Sequence, residues 1–534
     1  MSPTEGVTHE PDDSCPIRLV LGVGFQGVVI SLPPTVLTML LFAQASGLGE
    51  GYVAWSVLAA VAVSGITTGL LSARAGWIGG GHILPAGAVP SYLAIGLLAL
   101  EQAGPETLAT LLVVSSLSQF GLSVCLPLLR RVITPVVSGT VVMLIAVSVM
   151  PLTISKVGQV PDGAPAFAGP VVAAIMLIVV ATLGLRATGQ LRLWGPLIGV
   201  LVGCVAAALF GIYDLTRFFD APWIGIPDVW LPGFDVSPGA EFWALLPMFL
   251  VVSISGAIKV VGGSVVVQQV SSREPKVTDY RLVQGAVNTN GIGSVISGFL
   301  GILPTGTYAA TSVSLTNFTG VAARTVGYTI GIMLVVLALL PKPMAFLLTI
   351  PNAVTGAYML MIMGLLFVEG LRSVSQDGLE PRKVLIVAIS LAVGVGLQGE
   401  NIISDTIGGA WGLVLGNGMI IGAVTAILLT TFVELAAPRR RRLEMELDMG
   451  ALPQLDEFLG MLADGLGWDE GSSNRLRFVG EEALSSLLGD DEDESPRRLI
   501  VLARPGAGMV ELEFMAVLAE ENLAGCGRTA LGAA

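Results

Sequence analysis

Apolar runs of roughly bilayer-spanning length recur from residue 17 to residue 435. A helix crosses the hydrocarbon core in about 20 residues, fewer where it is broken and shielded by protein. Such runs are expected near 17–40, 52–72, 82–101, 106–128, 132–151, 169–186, 193–212, 241–262, 283–302, 304–318, 323–341, 344–367, 383–398 and 411–435, fourteen in all. Only 13% of the 534 residues are charged, against about 25% in soluble domains, so the chain lacks the polar surface to face water over that length. The implied fold class is an all-α polytopic membrane protein.

The few charges are unevenly placed. From Leu443 onward there are 19 acidic and 6 basic residues, while residues 1–442 hold 21 of each. This divides the chain into a short acidic leader over 1–16, expected to be disordered, a membrane domain over 17–435 and an acidic α+β tail over 436–534. The leader lacks a basic region and a cleavage site, so it does not read as a signal peptide. With the N-terminus on the cytoplasmic side, 17 basic residues fall in inside segments and 3 (Lys156, Arg217 and Lys342) in outside loops. Arginine and lysine concentrate on the cytoplasmic face, so fourteen spans, both termini inside and a cytoplasmic membrane are the expected topology. The Arg439–Arg442 run then anchors the last span. No basic face suits a nucleic acid. Cys15, Cys125, Cys204 and Cys526 have no metal-ligand spacing, and His82 lacks a second ligand, so no metal or cofactor is expected and His82 is read as facing the cytoplasmic mouth.

Residues 17–212 and 241–435 are nearly equal in length, and seven spans in each would invert the second copy relative to the first. Both halves break their third span with proline: Pro85 and Pro90 in one, Pro304 in the other. Matched Gly/Pro-interrupted spans are the best sequence pointer to a transporter's binding site, because broken helices expose backbone N–H and C=O groups at mid-membrane. The fifth spans also echo one another, with Thr134-Pro135 to Thr140 against Ile350-Pro351 to Gly356. Small residues there allow close helix approach.

Five stretches now resemble a known family: Ile133–Pro151, Gly291–Pro304, Thr319–Arg324, Ile350–Gly356 and Leu415–Thr425. Their order and spacing resemble the nucleobase–ascorbate transporters, the nucleobase:cation symporter family 2 of uracil and xanthine permeases. The resemblance covers about residues 17–435. It implies core and gate domains built from two inverted seven-helix repeats, and a substrate site between the third, eighth and tenth spans.

Carried over residue by residue, that site comprises Ser91, Tyr92, Lys259, Gly263, Ala310, Thr311 and Ser312. Two departures stand out. Lys259 occupies the frame where the family usually has a carboxylate, and Ala310 the frame of its Gln or Glu. The chain has no Asp or Glu in the middle of an expected span, so any ion coupling is expected to avoid a carboxylate on the eighth or tenth span. A charged residue within a span is by default a functional hypothesis. Snorkelling and a structural contact to unwound carbonyls are the plain alternatives for Lys259. Packing is the alternative for Tyr92, and helix capping for Thr311 and Ser312.

In the tail, helices are expected over 455–470 and 474–488, then strands over 497–503 and 509–514 joined at Pro505-Gly506. This order resembles the start of an anti-sigma-factor or histidine-kinase-type ATPase domain. Ser486 stands where that family's metal-holding Asn belongs, which implies a degenerate, non-catalytic module. The expected function is secondary active transport of a nucleobase, with no enzymatic activity. The rivals are an organic- or small-anion carrier using Lys259 and a transporter-derived sensor signalling through the tail. The expected partners are a small-molecule substrate, the bilayer, a second copy of the chain and a cytoplasmic partner of the tail.

Overall fold

A computed structural model describes residues 7–124, 135–376, 380–398, 418–435, 441–489, 497–505 and 510–518, apart from 274–277 and the single positions 162, 189, 215, 221, 224, 226 and 227. Thr134, Cys125, Cys526, residues 415–417, Arg439, Arg440 and the turn at Gly506 lie outside the described residues. The chain divides into two compact units, residues 1–430 and 431–534.

The first unit is helical because its apolar runs leave no other way to satisfy backbone groups in lipid. It begins with α1 (Ile17–Ala45) and α2 (Glu50–Ser72). Next come β1 (Ala86–Ala88), a single 3₁₀ turn (Pro90–Tyr92) and α3 (Leu93–Val124). α3 joins two expected spans across a kink at Gly104, whose φ of 80° only glycine adopts readily, followed by Pro105. Then follow α4 (Pro135–Gly158), α5 (Ala168–Arg186), α6 (Gln190–Leu209) and the short α7 (Thr216–Asp220). The next elements are α8 (Ala240–Val270), α9 (Tyr280–Phe299), β2 (Thr305–Thr307) and α10 (Ala309–Thr319). Finally come α11 (Arg324–Ala338), α12 (Pro341–Leu348), α13 (Asn352–Gln376), α14 (Pro381–Gly396) and α15 (Gly418–Leu435).

Among the described residues, seven helices are long and apolar enough to cross a membrane, or eight if the bent pair α11–α12 is one span; 194–209 and 418–433 are shorter apolar helices. Several boundaries differ from the expected ranges. α8 runs to Val270, as the apolar run continuing through Val260–Val270 suggests. The run expected over 344–367 is cut before Pro351, whose ring disfavours helix at the preceding residue, and the long helix restarts at Asn352.

The helices sort into two packed sets. α1, α2, α3, α8, α9, α10 and α11 surround β1 and β2, while α13 packs along α4 and also touches α5 and α6. The α4–α13 contact is closed by glycine. A Cβ at Gly139 would lie 2.5 Å from the Gly370 carbonyl oxygen, and one at Gly370 would lie 2.7 Å from that of Gly139. The two spans that echo one another in sequence therefore pack backbone to backbone, where small residues permit it.

The expected disordered leader is, over residues 7–16, an ordered strap. Thr8 and His9 donate their N–H groups to the Gly320 carbonyl, and His9 and Pro11 carbonyls accept from Ala322 and Arg324. Asp12 bridges Arg74 and Arg324 at 2.7 Å each, and Asp13 holds Arg273 at 3.0 Å. Leader acids thus neutralise loop arginines, a pairing that their separate positions in the sequence do not announce. His82 departs from expectation too: it is 7% exposed and neither ring nitrogen has a hydrogen-bond partner. Half-exposed ion pairs contribute about 0.2–1 kcal/mol each. Asp12→Asn is therefore expected to cost about 1 kcal/mol, read as a lowered Tm in detergent at low salt, and the gap from wild type is expected to close at about 1 M salt, where screening removes both pairs from the wild-type protein. An unchanged Tm at low salt would show that the strap does not hold these loops.

The second unit carries a three-stranded antiparallel sheet in the order β3 (Arg441–Glu446), β4 (Arg497–Pro505), β5 (Val510–Leu518). It also holds α16 (Leu452–Gly465) and α17 (Glu470–Gly489). Met445, Leu499, Val501 and Ala503 pack with Leu455, Phe458, Leu459 and Leu462 of α16 and with Leu476 and Leu484 of α17. Arg441 and Arg442, read from the sequence as the end of a basic run beside the last span, begin strand β3. Leu443 and Met445 alternate with Arg442, Glu444 and Glu446, the period of a one-sided strand.

Candidate functional site

Pro85 and Pro304 cannot continue a helix, and each is followed by three residues in extended form. The two extended pieces pair antiparallel, Ala86 opposite Thr307, Gly87 opposite Gly306 and Ala88 opposite Thr305. The prolines complete the ladder from outside, since the Tyr308 N–H donates to the Pro85 carbonyl at 2.7 Å and the Val89 N–H to that of Pro304 at 3.0 Å. Both broken spans thus satisfy one another's backbone, and each then turns into a helix, α3 on one side and α10 on the other.

Neighbouring side chains lock the crossing. The Ala86 N–H donates to Thr68 Oγ1 at 2.9 Å, and Ser294 Oγ donates to the Thr305 carbonyl at 3.1 Å. Tyr308 Oη donates to the Ala88 carbonyl at 3.0 Å and lies 3.4 Å from Thr35 Oγ1. Beside the crossing, Ala257, Val260 and Val261 of α8 pack with Leu71, Leu84 and Ala86. One turn on, a Cβ at Gly263 would meet Ala309 Cβ at 2.7 Å, so this glycine lets α8 approach the start of α10.

The expected site residues do not all point the same way. Ala310 is exposed, and Gly263 and Thr311 are half-buried. Ser91 and Tyr92 are buried at 6% and 2% exposure, and the Tyr92 ring lies tilted against Phe249 with centroids 6.2 Å apart. Ser312 is fully buried and donates to the Ile83 carbonyl, tying α10 to the loop before β1. Neither Thr311 nor Ser312 caps α10, because the N-cap position is Tyr308 and carries no side-chain cap. The first N–H groups of α10 are therefore left to donate to a partner's oxygen. Lys259 is 3.2 Å from Glu369 of α13, with side-chain exposures of 37% and 54%.

Sequence reading missed the polar groups that build the crossing. Ser31, Thr35 and Thr38 on α1, and Ser64, Thr68 and Ser72 on α2, are buried. Hydroxyls repeating every three or four residues along apolar helices were the available signal. It also missed a buried chain linking α9, α3 and α8, in which Asn290 Nδ2 donates to Gln119 Oε1 at 3.0 Å and Gln119 Nε2 to Ser253 Oγ at 3.2 Å. Two cavities lie elsewhere. One of about 310 Å³ is lined by Leu32, Phe218, Trp223 and Lys342, and one of about 390 Å³ by Gln44, Gln159, Asp214 and Asn352. Neither reaches β1 or β2. Among the described residues no cluster of His, Cys, Asp or Glu suits a metal.

Residues 19–401 match a model of the permease family of xanthine and uracil permeases. A xanthine permease of Escherichia coli strain K12 is 32% identical over 443 residues, covering 79% of this chain and 92% of that protein. A uric acid permease of Bacillus subtilis is 28% identical over 338 residues, covering 61% and 72%. Among solved structures, the murine Solute Carrier 26 family member A9 anion transporter in its inward-facing state aligns with a TM-score of 0.53 at 13% identity, covering 82% of this chain and 72% of that one. At that identity the likeness concerns the fold alone. With its apolar helices, its paired broken spans and a family match over most of its length, this chain belongs to the xanthine/uracil permease family and is a multi-pass membrane transporter, not an enzyme.

Proposed function

We propose that the chain carries a nucleobase of the xanthine, urate or uracil type across a cytoplasmic membrane by alternating access, with the β1–β2 crossing as its site. The observation that carries this reading is the crossing itself: in a permease-family chain, it brings the starts of two half-helices together beside α8. A nucleobase presents carbonyl oxygens and ring N–H groups in one plane. The uncapped N–H groups at the start of α10 and the Thr311 hydroxyl donate to its carbonyls. Gly263 keeps room beside Ala309. Ser91, Tyr92 and Ser312, being buried, position the two half-helix starts and do not line the opening. Lys259 sets the charge that the site accepts.

The wider reading has two inverted seven-span repeats over 17–212 and 241–435, cytoplasmic termini, assembly with a second copy, and a non-catalytic tail available to a cytoplasmic partner. Any ion coupling proceeds without a carboxylate on α8 or α10. The rival anion carrier depends on Lys259 as a free cation, and its pairing with Glu369 weighs against that. The experiment is uptake of labelled uracil, xanthine and urate, beside carboxylates, by proteoliposomes at several pH values. Saturable base uptake with mutual competition is expected. Uptake of carboxylates and of no base would replace this reading with the anion carrier.

A further inference from the structure

We propose that Glu369 is a positioning residue for transport: by holding the Lys259 ammonium it determines the charge of the substrate that the crossing accepts. The proposal rests on the reading above and adds to it a residue on the other helical set.

Lys259 and Glu369 approach to 3.2 Å, well inside ion-pair range. They sit on helices that otherwise share little packing. α8 belongs to the set around the crossing, and α13 lies against α4. The pair is thus a charge contact between the two sets. Its reach toward the site follows from helix geometry. Residues four apart on a helix are neighbours on one face, and Gly263, four residues after Lys259, touches Ala309 at the start of α10. The flexible four-carbon stem of lysine spans one turn of about 5.4 Å. Released from Glu369, the ammonium swings to the start of α10, adding a full positive charge to N–H groups that already favour negative oxygen. Held by Glu369, it is neutralised and the site favours an uncharged ring. Because both side chains keep substantial exposure, the pair is weak enough to break and re-form in each cycle. Any motion of one set past the other separates them.

The test compares KM for uracil, neutral at pH 7, with KM for urate, an anion at pH 7, in wild type, E369Q, E369D and the exchanged pair K259E/E369K. Each protein is checked for Tm in detergent. The urate-to-uracil KM ratio is expected to fall about 10-fold in E369Q, to stay near wild type in E369D, and to return to within about threefold of wild type in the exchanged pair. A folded E369Q protein with an unchanged ratio overturns the proposal. If E369Q does not fold, the exchanged pair decides: a wild-type ratio supports the role, and an altered ratio overturns it. If wild type takes up carboxylates and no base, the nucleobase reading falls, yet the E369Q shift measured between a mono- and a dicarboxylate still decides the role of Glu369.

Discussion

Gly87→Val is expected to abolish uptake and to lower stability by about 3 kcal/mol or more. Gly87 stands at the centre of β1, opposite Gly306. A Cβ there would lie 2.1 Å from Thr35 Oγ1 and 2.5 Å from both Cε2 and Oη of Tyr308. Neither neighbour can yield freely. Thr35 donates to the Ser31 carbonyl at 3.0 Å, and Tyr308 is tied to the Ala88 carbonyl at 3.0 Å. Relief of the clash means breaking buried hydrogen bonds or unpairing the two strands, and either separates the half-helix starts. Gly22→Val is the matched control, since a Cβ at Gly22 meets nothing within 4 Å. Tm in detergent and uptake in proteoliposomes read the two variants side by side. Full activity in Gly87→Val would mean that the crossing is not the rigid element described above.

Ala310→Trp is expected to cut uptake about 100-fold or more while leaving Tm close to wild type. Ala310 is exposed in the first turn of α10, so a larger side chain enters open space, and surface changes of this kind alter stability by only about 0.5 kcal/mol. If that open space is the substrate site, an indole fills it, whereas Ala310→Ser leaves it open and keeps uptake within a few-fold. The separation of activity from stability gives this experiment its force, because Gly87→Val loses both. Normal uptake by a well-folded Ala310→Trp protein would move the site away from the start of α10.

Much of the architecture is legible one segment at a time. A span is a local property: its length and apolarity are set against the thickness of the bilayer, whatever its neighbours are. The same holds for the breaks, because Pro85 and Pro304 lack the N–H a helix needs and sterically oppose one. Errors fall where local signals compete. Arg441 and Arg442 resemble a topogenic basic run and also begin an alternating strand, which only the pairing with β4 reveals. The run near 344–367 is apolar throughout, and only Pro351 marks where the helix restarts.

The sequence by itself determines that this chain lives in a membrane, where its apolar runs lie, that Pro85 and Pro304 break two of them, and which positions hold unusual charge. Its resemblance to one transporter family extends this to a class of substrate. Only the tertiary structure decides what those positions touch. Glu10, Asp12 and Asp13 lie near the start of the sequence and meet Arg74 and Arg273 from two distant loops and Arg324 from the start of α11. Three residues after Pro85 become a strand because three after Pro304 lie beside them. Lys259 passes from a lone cation to half of an ion pair because α13 brings Glu369 within reach. The physical reason is common to all three. Hydrophobicity and backbone stereochemistry act along the chain, so sequence carries them. Hydrogen bonds and ion pairs act over about 3–4 Å between groups that folding alone brings together.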